Sequence, residues 1–173
     1  HGLCVGATGS GKSELLTTLI LGLALAYPPE ILNFVLVDYK GGGAFKPFER
    51  LPHCVDLVTN LDESAVDRMF ASIDAEIKRR QSLNASTSTE NIVVYRKDNL
   101  HAKDNPLSKG PYPHLVVIID EYAEMIDANS DYLPRLESIT RVGRAQGVHL
   151  ILASQQPKGV TDQMREFADA SSA

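Results

Sequence analysis

Gly6-Ala7-Thr8-Gly9-Ser10-Gly11-Lys12-Ser13 satisfies the pattern Gly-x-x-x-x-Gly-Lys-[Ser/Thr] at every specified position. The pattern is chemically restrictive. Its glycines let the backbone curl into a nest whose N–H groups face phosphate oxygens, and the helix that follows adds its positive N-terminus. Lys12 is placed to reach the β- and γ-phosphates, and the Ser13 hydroxyl suits Mg²⁺. The flanks supply the context the pattern needs. Gly2–Val5 reads as a short buried strand ahead of the loop. From Ser13 to Tyr27, Leu15, Leu16, Leu19, Ile20 and Leu23 share one helical face, and Pro28-Pro29 stops the helix. Gly6, Ala7, Thr8, Gly9, Ser10, Gly11, Lys12, Ser13 and Glu14 are therefore the candidates for holding a nucleotide.

Outward from the loop, apolar runs alternate with helical periodicity. Asn33–Val37, Cys54–Val58, Leu115–Ile119 and Val148–Ala153 read as strands. Ser64 caps an expected helix with a stripe of Val66, Met69, Phe70, Ile73 and Ile77, ending near Gln81. Lys78-Arg79-Arg80 then reads as basic residues at that helix's C-terminus. Residues 84–113 are rich in Ser, Thr, Asn, Lys and Pro, and read as a surface excursion with one helix around Ile92–Arg96. A further helix is expected from Asp131 to Ala145, and a helix start at Thr161–Ala173. Apolar strands separated by helices predict an α/β fold, a mainly parallel sheet covered by helices on both faces.

Leu115-Val116-Val117-Ile118-Ile119-Asp120-Glu121 ends an apolar strand in two acids. At the carboxyl end of a parallel strand both would face the crevice where open α/β sheets bind ligands. Asp120 is expected to hold Mg²⁺ through water, and Glu121 to act as general base toward the attacking water. Ser154-Gln155-Gln156 follows the last strand, and Gln155 is the residue expected to read the γ-phosphate or its water. The strand Asn33–Val37 lies between the loop's strand and the acidic one, which with the adjacent glutamate predicts the RecA-like, additional-strand branch of P-loop NTPases. No Asn-Lys-x-Asp base-reading motif is present, so ATP is favoured over GTP. Asp38 is expected to support the Mg²⁺ site and Lys40 to reach across a subunit boundary. His53, His114 and His149 lie at no metal-ligand spacing and read as structural.

At 173 residues the chain is sized for one domain, residues 1–173. Its 43% hydrophobic and 23% charged residues exclude disordered and fibrous classes. Acidic residues outnumber basic ones by 22 to 17, which argues against a surface built to grip nucleic acid. Cys4 and Cys54 form no metal or disulfide pattern and suit a reducing compartment. No apolar run approaches the roughly 18–20 residues of a membrane span, and no secretory leader pattern stands at the start. At least one closing strand is expected beyond the last residues, so the chain reads as a C-terminally truncated fragment.

With these residues in hand, the chain resembles the FtsK/SpoIIIE-type ATPases, and within them the EccC/EssC motor ATPases of type VII secretion. The resemblance rests on Gly6–Glu14, then Leu32-Asn33-Phe34-Val35-Leu36-Val37-Asp38-Tyr39-Lys40-Gly41-Gly42-Gly43, Leu51-Pro52-His53, Thr59-Asn60-Leu61, Asp120-Glu121 and Arg141-Val142-Gly143-Arg144. Gly147-Val148-His149-Leu150-Ile151-Leu152-Ala153-Ser154-Gln155 completes it. It implies an ATPase with ATP and Mg²⁺ as ligands and with neighbouring ATPase domains or subunits, assembled as hexamers, as partners. It further implies small helical secreted proteins as cargo, secretion-machine membrane components as partners, and a place on the cytoplasmic side of a bacterial membrane. Anchoring would come through segments outside this chain. It also implies an arginine finger offered in trans, for which Arg68 is the candidate, with Arg141 and Arg144 as alternatives. Two other readings stay open: an FtsK-like or conjugative DNA translocase, and a non-hydrolysing nucleotide-binding scaffold.

Overall fold

The computed structural model describes residues 1–59 and 63–156; the helix start expected at Thr161–Ala173 lies outside them. The elements are β1 (Gly2–Val5), α1 (Lys12–Ala26), β2 (Leu32–Asp38), β3 (Cys54–Thr59), α2 (Glu63–Thr87) and α3 (Ile92–Lys97). They continue with β4 (His114–Asp120), α4 (Tyr122–Ala128), α5 (Tyr132–Gly143) and β5 (Val148–Ser154). The five strands form one sheet in the order β1-β5-β4-β2-β3, and every pairing is parallel. All carboxyl ends therefore open on one edge. Register aligns them there: Val5 lies beside Ser154, Ala153 beside Asp120, and Asp120 beside Asp38.

Both faces are covered, as the apolar strands required. On one, Val35, Val37, Val117, Ile119, Leu150 and Leu152 pack against α2 and α5. On the other, Phe34, Leu36, Val116 and Ile118 meet Leu16 and Ile20 of α1 and Phe45 and Phe48 of the loop after β2. Helix α1 is apolar nearly all round, so its stripe was ambiguous: Leu16 and Ile20 are buried while Leu15 is 57% and Leu25 89% exposed. Strand β1 lies at the end of the sheet, paired with β5, and exposes Leu3 and Val5.

Helix α2 buries the expected stripe of Val66, Met69, Phe70, Ile73 and Ile77, but Ser64 falls inside the helix and the helix runs on to Thr87. Lys78-Arg79-Arg80 is thus mid-helix, not a terminus. Arg80 is 1% exposed. It donates to Glu76 and to the Gln146 carbonyl, each at 2.7 Å, and lies 5.1 Å from the Tyr112 ring centroid. The excursion 84–113 is tied down from the same place. Asn84 donates to Tyr112 Oη and Gln146 Oε1, and Ile92, Tyr95, Leu100 and Tyr112 form a small core of their own. Helix α3 starts where the Asn91 side chain accepts from the Val93 and Val94 amides.

Candidate nucleotide site

The loop between β1 and α1 is built from its glycines. Gly9 and Gly11 take φ of 80° and 87°, a region that other residues enter at a cost. At Gly6 a Cβ would lie 2.3 Å from Ser10 Oγ, so any larger residue would make the Ser10 side chain shift. The Gly6 amide donates to the Ser154 carbonyl at 3.1 Å and the Ser10 amide to Ala7 at 3.0 Å. The loop is thereby stitched to the end of β5 before α1 begins with Lys12. Ser13 and Glu14 are exposed in the first turn. There the Ser13 hydroxyl is open to a ligand and the Glu14 carboxylate favours the helix dipole.

Lys12 crosses from the loop to the end of β4. Its ammonium donates to Asp120 Oδ1, and to Glu121 Oε1 at 2.7 Å. Burial disfavours the Lys12 charge, but the bonds to the two carboxylates outweigh it and hold its pKa above the ordinary lysine value. Glu121 mirrors this: burial pushes its carboxyl up, the Lys12 bond and charge push it down further, and the net direction is down. Glu121 takes φ 58° and ψ 42°, a left-handed conformation at the N-cap of α4. Its amide donates to Asp120 Oδ1 at 3.0 Å, which folds the two acids back toward Lys12.

Gln155 completes the cluster. Its Nε2 donates to Glu121 Oε1 at 3.2 Å, and its Oε1 accepts from Thr8 Oγ1 at 3.0 Å. A cleft of about 230 Å³ opens beside these groups, lined by Glu121, Ala123, Glu124, Asp127, Ser154, Gln155 and Gln156. A larger cleft, about 790 Å³, lies at the amino ends of β2, β3 and β4 with Asn33, Val55 and Leu115 in its wall, away from these groups.

Residues flagged in the sequence are not all brought together. Arg68 is exposed on α2, and its Nη1 donates to Ser64 Oγ at 2.8 Å in its own helix; Arg141 and Arg144 are exposed as well. Asp38 lies beside Asp120 in the sheet register. Its carboxylate accepts from the Gly42, Gly43 and Ala44 amides at 3.2, 2.7 and 3.1 Å and shapes the glycine loop. Lys40 bonds Glu124 at 2.6 Å within the chain. Glu124 was not foreseen, because the only signal for it was a place in α4, a helix the sequence did not reveal. His114 Nδ1 lies 3.1 Å from His149 Nε2 at the amino ends of β4 and β5.

Mg²⁺ fits what is here. Ser13 and Asp120 offer hard oxygens beside the loop. Among the described residues no group of three or more His, Cys, Asp or Glu could form a protein cage, and Mg²⁺ ordinarily keeps waters and phosphate oxygens around one or two protein ligands.

Comparison with known proteins agrees with this geometry. The chain is 46% identical over 159 residues to the ESX secretion system protein EccC of Thermomonospora curvata, covering 90% of the chain and 12% of that protein. It is 43% identical over 162 residues to the type VII secretion system protein EssC of Staphylococcus aureus, covering 94% of the chain and 11% of that protein. The chain thus spans about a tenth of the length of the curated relatives it matches. The solved cytoplasmic domain of the Thermomonospora curvata type VII secretion ATPase EccC superposes with a TM-score of 0.83 at 43% identity, over 98% of this chain and 19% of that one. The FtsK/SpoIIIE family matches residues 1–159, and with its phosphate loop and acidic strand end in the places that fold requires, the chain belongs to that family.

Proposed function

We propose that this chain is the Mg-ATP-binding and hydrolysing domain of an EccC/EssC-like type VII secretion motor. It would work on the cytoplasmic side of a bacterial membrane and couple ATP hydrolysis to export of small helical proteins. The observation that carries the reading is the meeting of Lys12 with Asp120 and Glu121 at one sheet edge, with Gln155 alongside. The family match and the names of the relatives support it. Residues 1–173 act as one domain in this reading, with neighbouring ATPase domains or subunits in a hexamer and membrane components reached through segments outside the chain. Arg68 is the finger offered to the neighbour.

The residues divide the work. Backbone N–H groups of Gly6–Ser13 receive the phosphates, and Lys12 neutralises charge on them. Mg²⁺ would be held by Ser13 and Asp120 and would supply further neutralisation of the phosphates. Lys12 is already committed to two carboxylates, so phosphates compete for its ammonium. As Lys12 turns toward them, Glu121 loses the partner that holds its pKa down and becomes the stronger base. Glu121 then takes the proton of the attacking water, which the Gln155 amide holds in line.

Titration with a fluorescent ATP analogue tests the assignment: the parent chain binds and Lys12→Ala does not. Equal affinity in the two rejects the site. ATPase activity of the assembled protein that rises with double-stranded DNA would move the reading to a DNA translocase.

A further inference from the structure

We infer that Thr8 is a positioning residue: its hydroxyl holds the Gln155 amide in the orientation that presents Nε2 to Glu121. The inference rests on the proposed function and deepens it. Phosphates are held in such loops by backbone N–H groups, glycine conformation and the lysine. The Thr8 side chain is not needed for that work, and here it points elsewhere, donating to Gln155 Oε1 at 3.0 Å. A primary amide has one accepting and one donating end, and its last torsion is soft and nearly two-fold. Glu121 only accepts, so it needs the donating end. Glu121 therefore draws Nε2 to its Oε1 at 3.2 Å, and the Thr8 hydroxyl, donating to Oε1, anchors the far end of the amide in that orientation.

The same contact couples the loop to the base. The loop and the end of β5 are joined at two places, through the Gly6 amide on the Ser154 carbonyl and through Thr8 on Gln155. A phosphate that reshapes the loop moves Thr8, and Thr8 moves the amide that touches Glu121. Glu121 thus receives two signals of occupancy, one through Lys12 and one through Thr8 and Gln155. Loss of one neutral hydrogen bond that orients the amide corresponds to about a fivefold change in the population that faces Glu121 correctly.

The test compares the parent chain, Thr8→Val, Thr8→Ser, Gln155→Ala and the Thr8→Val/Gln155→Ala pair. Mg-ATP affinity and single-turnover hydrolysis are measured at protein concentrations where subunits meet. Thr8→Val is expected to slow turnover about fivefold while shifting Kd much less, Thr8→Ser to recover most of the loss, and Thr8→Val to add nothing once Gln155 is Ala. Turnover and affinity falling together, no recovery in Thr8→Ser, or full additivity overturns the inference. A second measurement needs no nucleotide: the Gln155 side-chain amide NMR signals, identified by their loss in Gln155→Ala. They shift in Thr8→Val and return in Thr8→Ser if the contact holds, and unchanged signals in Thr8→Val overturn it. Failure of the parent chain to bind Mg-ATP would reject the functional reading, while the amide signals still decide the contact.

Discussion

In the proposed function Glu121 carries the chemistry, and it does so from a left-handed backbone. Its left-handed φ costs about 1 kcal/mol or more for a side chain of this kind, and the Lys12 and Gln155 bonds hold it there. Glu121→Gln keeps the shape and the Gln155 contact but cannot accept a proton. We expect nucleotide affinity to persist and turnover to fall by about 10²–10⁴-fold, read by binding titration and phosphate release on one sample. Turnover at the parent rate would remove Glu121 as the base. Gly6→Ala should act the other way: a methyl 2.3 Å from Ser10 Oγ makes the Ser10 side chain turn within the cradle, so affinity falls before the melting temperature does. The loop and the acidic pair were legible because their chemistry is local, needing particular residues at fixed spacing. The conformation of Glu121 was not, since nothing in Asp120-Glu121-Tyr122 marks a left-handed turn.

Among the elements, α2 shows why composition misleads. Ser82, Asn84, Ser86 and Thr87 look like a loop, yet they stay helical because each finds a partner. Ser82, Ser86 and Thr87 donate to carbonyls three or four residues earlier, and Asn84 reaches Tyr112 and Gln146 across the fold. The partners of Asn84 lie far away in sequence, so no local rule could supply them. Arg80 is the hub. Arg80→Ala leaves the buried Gln146 carbonyl without its donor, while Glu76 keeps Arg79 as its cation, at a cost of about 1–3 kcal/mol for the unpaired carbonyl. Chemical denaturation checks it: the midpoint should drop sharply while any protein that remains folded binds nucleotide with parent affinity. A midpoint within measurement error of the parent would mean that the Arg80 network contributes no net stability. The seven residues of α4 escaped notice because a helix of two turns offers too little periodicity to separate from a turn.

For the molecule as a whole, acidity and assembly give two expectations. His149 is pushed down to about 4, by burial first and then by the neighbouring His114 ring, the amino terminus, Arg80 and Arg144. An unfolded histidine titrates near 6.5, so between about 4 and 6.5 the unfolded chain holds a proton the folded chain refuses. This contribution is complete above that window and is lost as pH falls through it, to at most about 3 kcal/mol. Denaturant midpoints at pH 7 and 4.5 should differ by less in His149→Gln than in the parent. Assembly is tested by mixing: Arg68→Ala subunits and Glu121→Gln subunits, each weak alone, should regain activity together, because some boundaries then pair an intact finger with an intact base. No recovery, with Arg68→Ala alone fully active, excludes Arg68.

The position of β1 has a mechanical side. The phosphate loop springs from a four-residue strand at the end of the described sheet, fastened by one ladder to β5. Strand β4, which ends in Asp120, is gripped on both sides by seven-residue neighbours. A load applied to the loop would shear one short seam, whereas the same load at Asp120 spreads over two long ones. Within this chain the stiff anvil of the site is therefore the acidic end of β4, and the loop that holds the fuel is its compliant jaw.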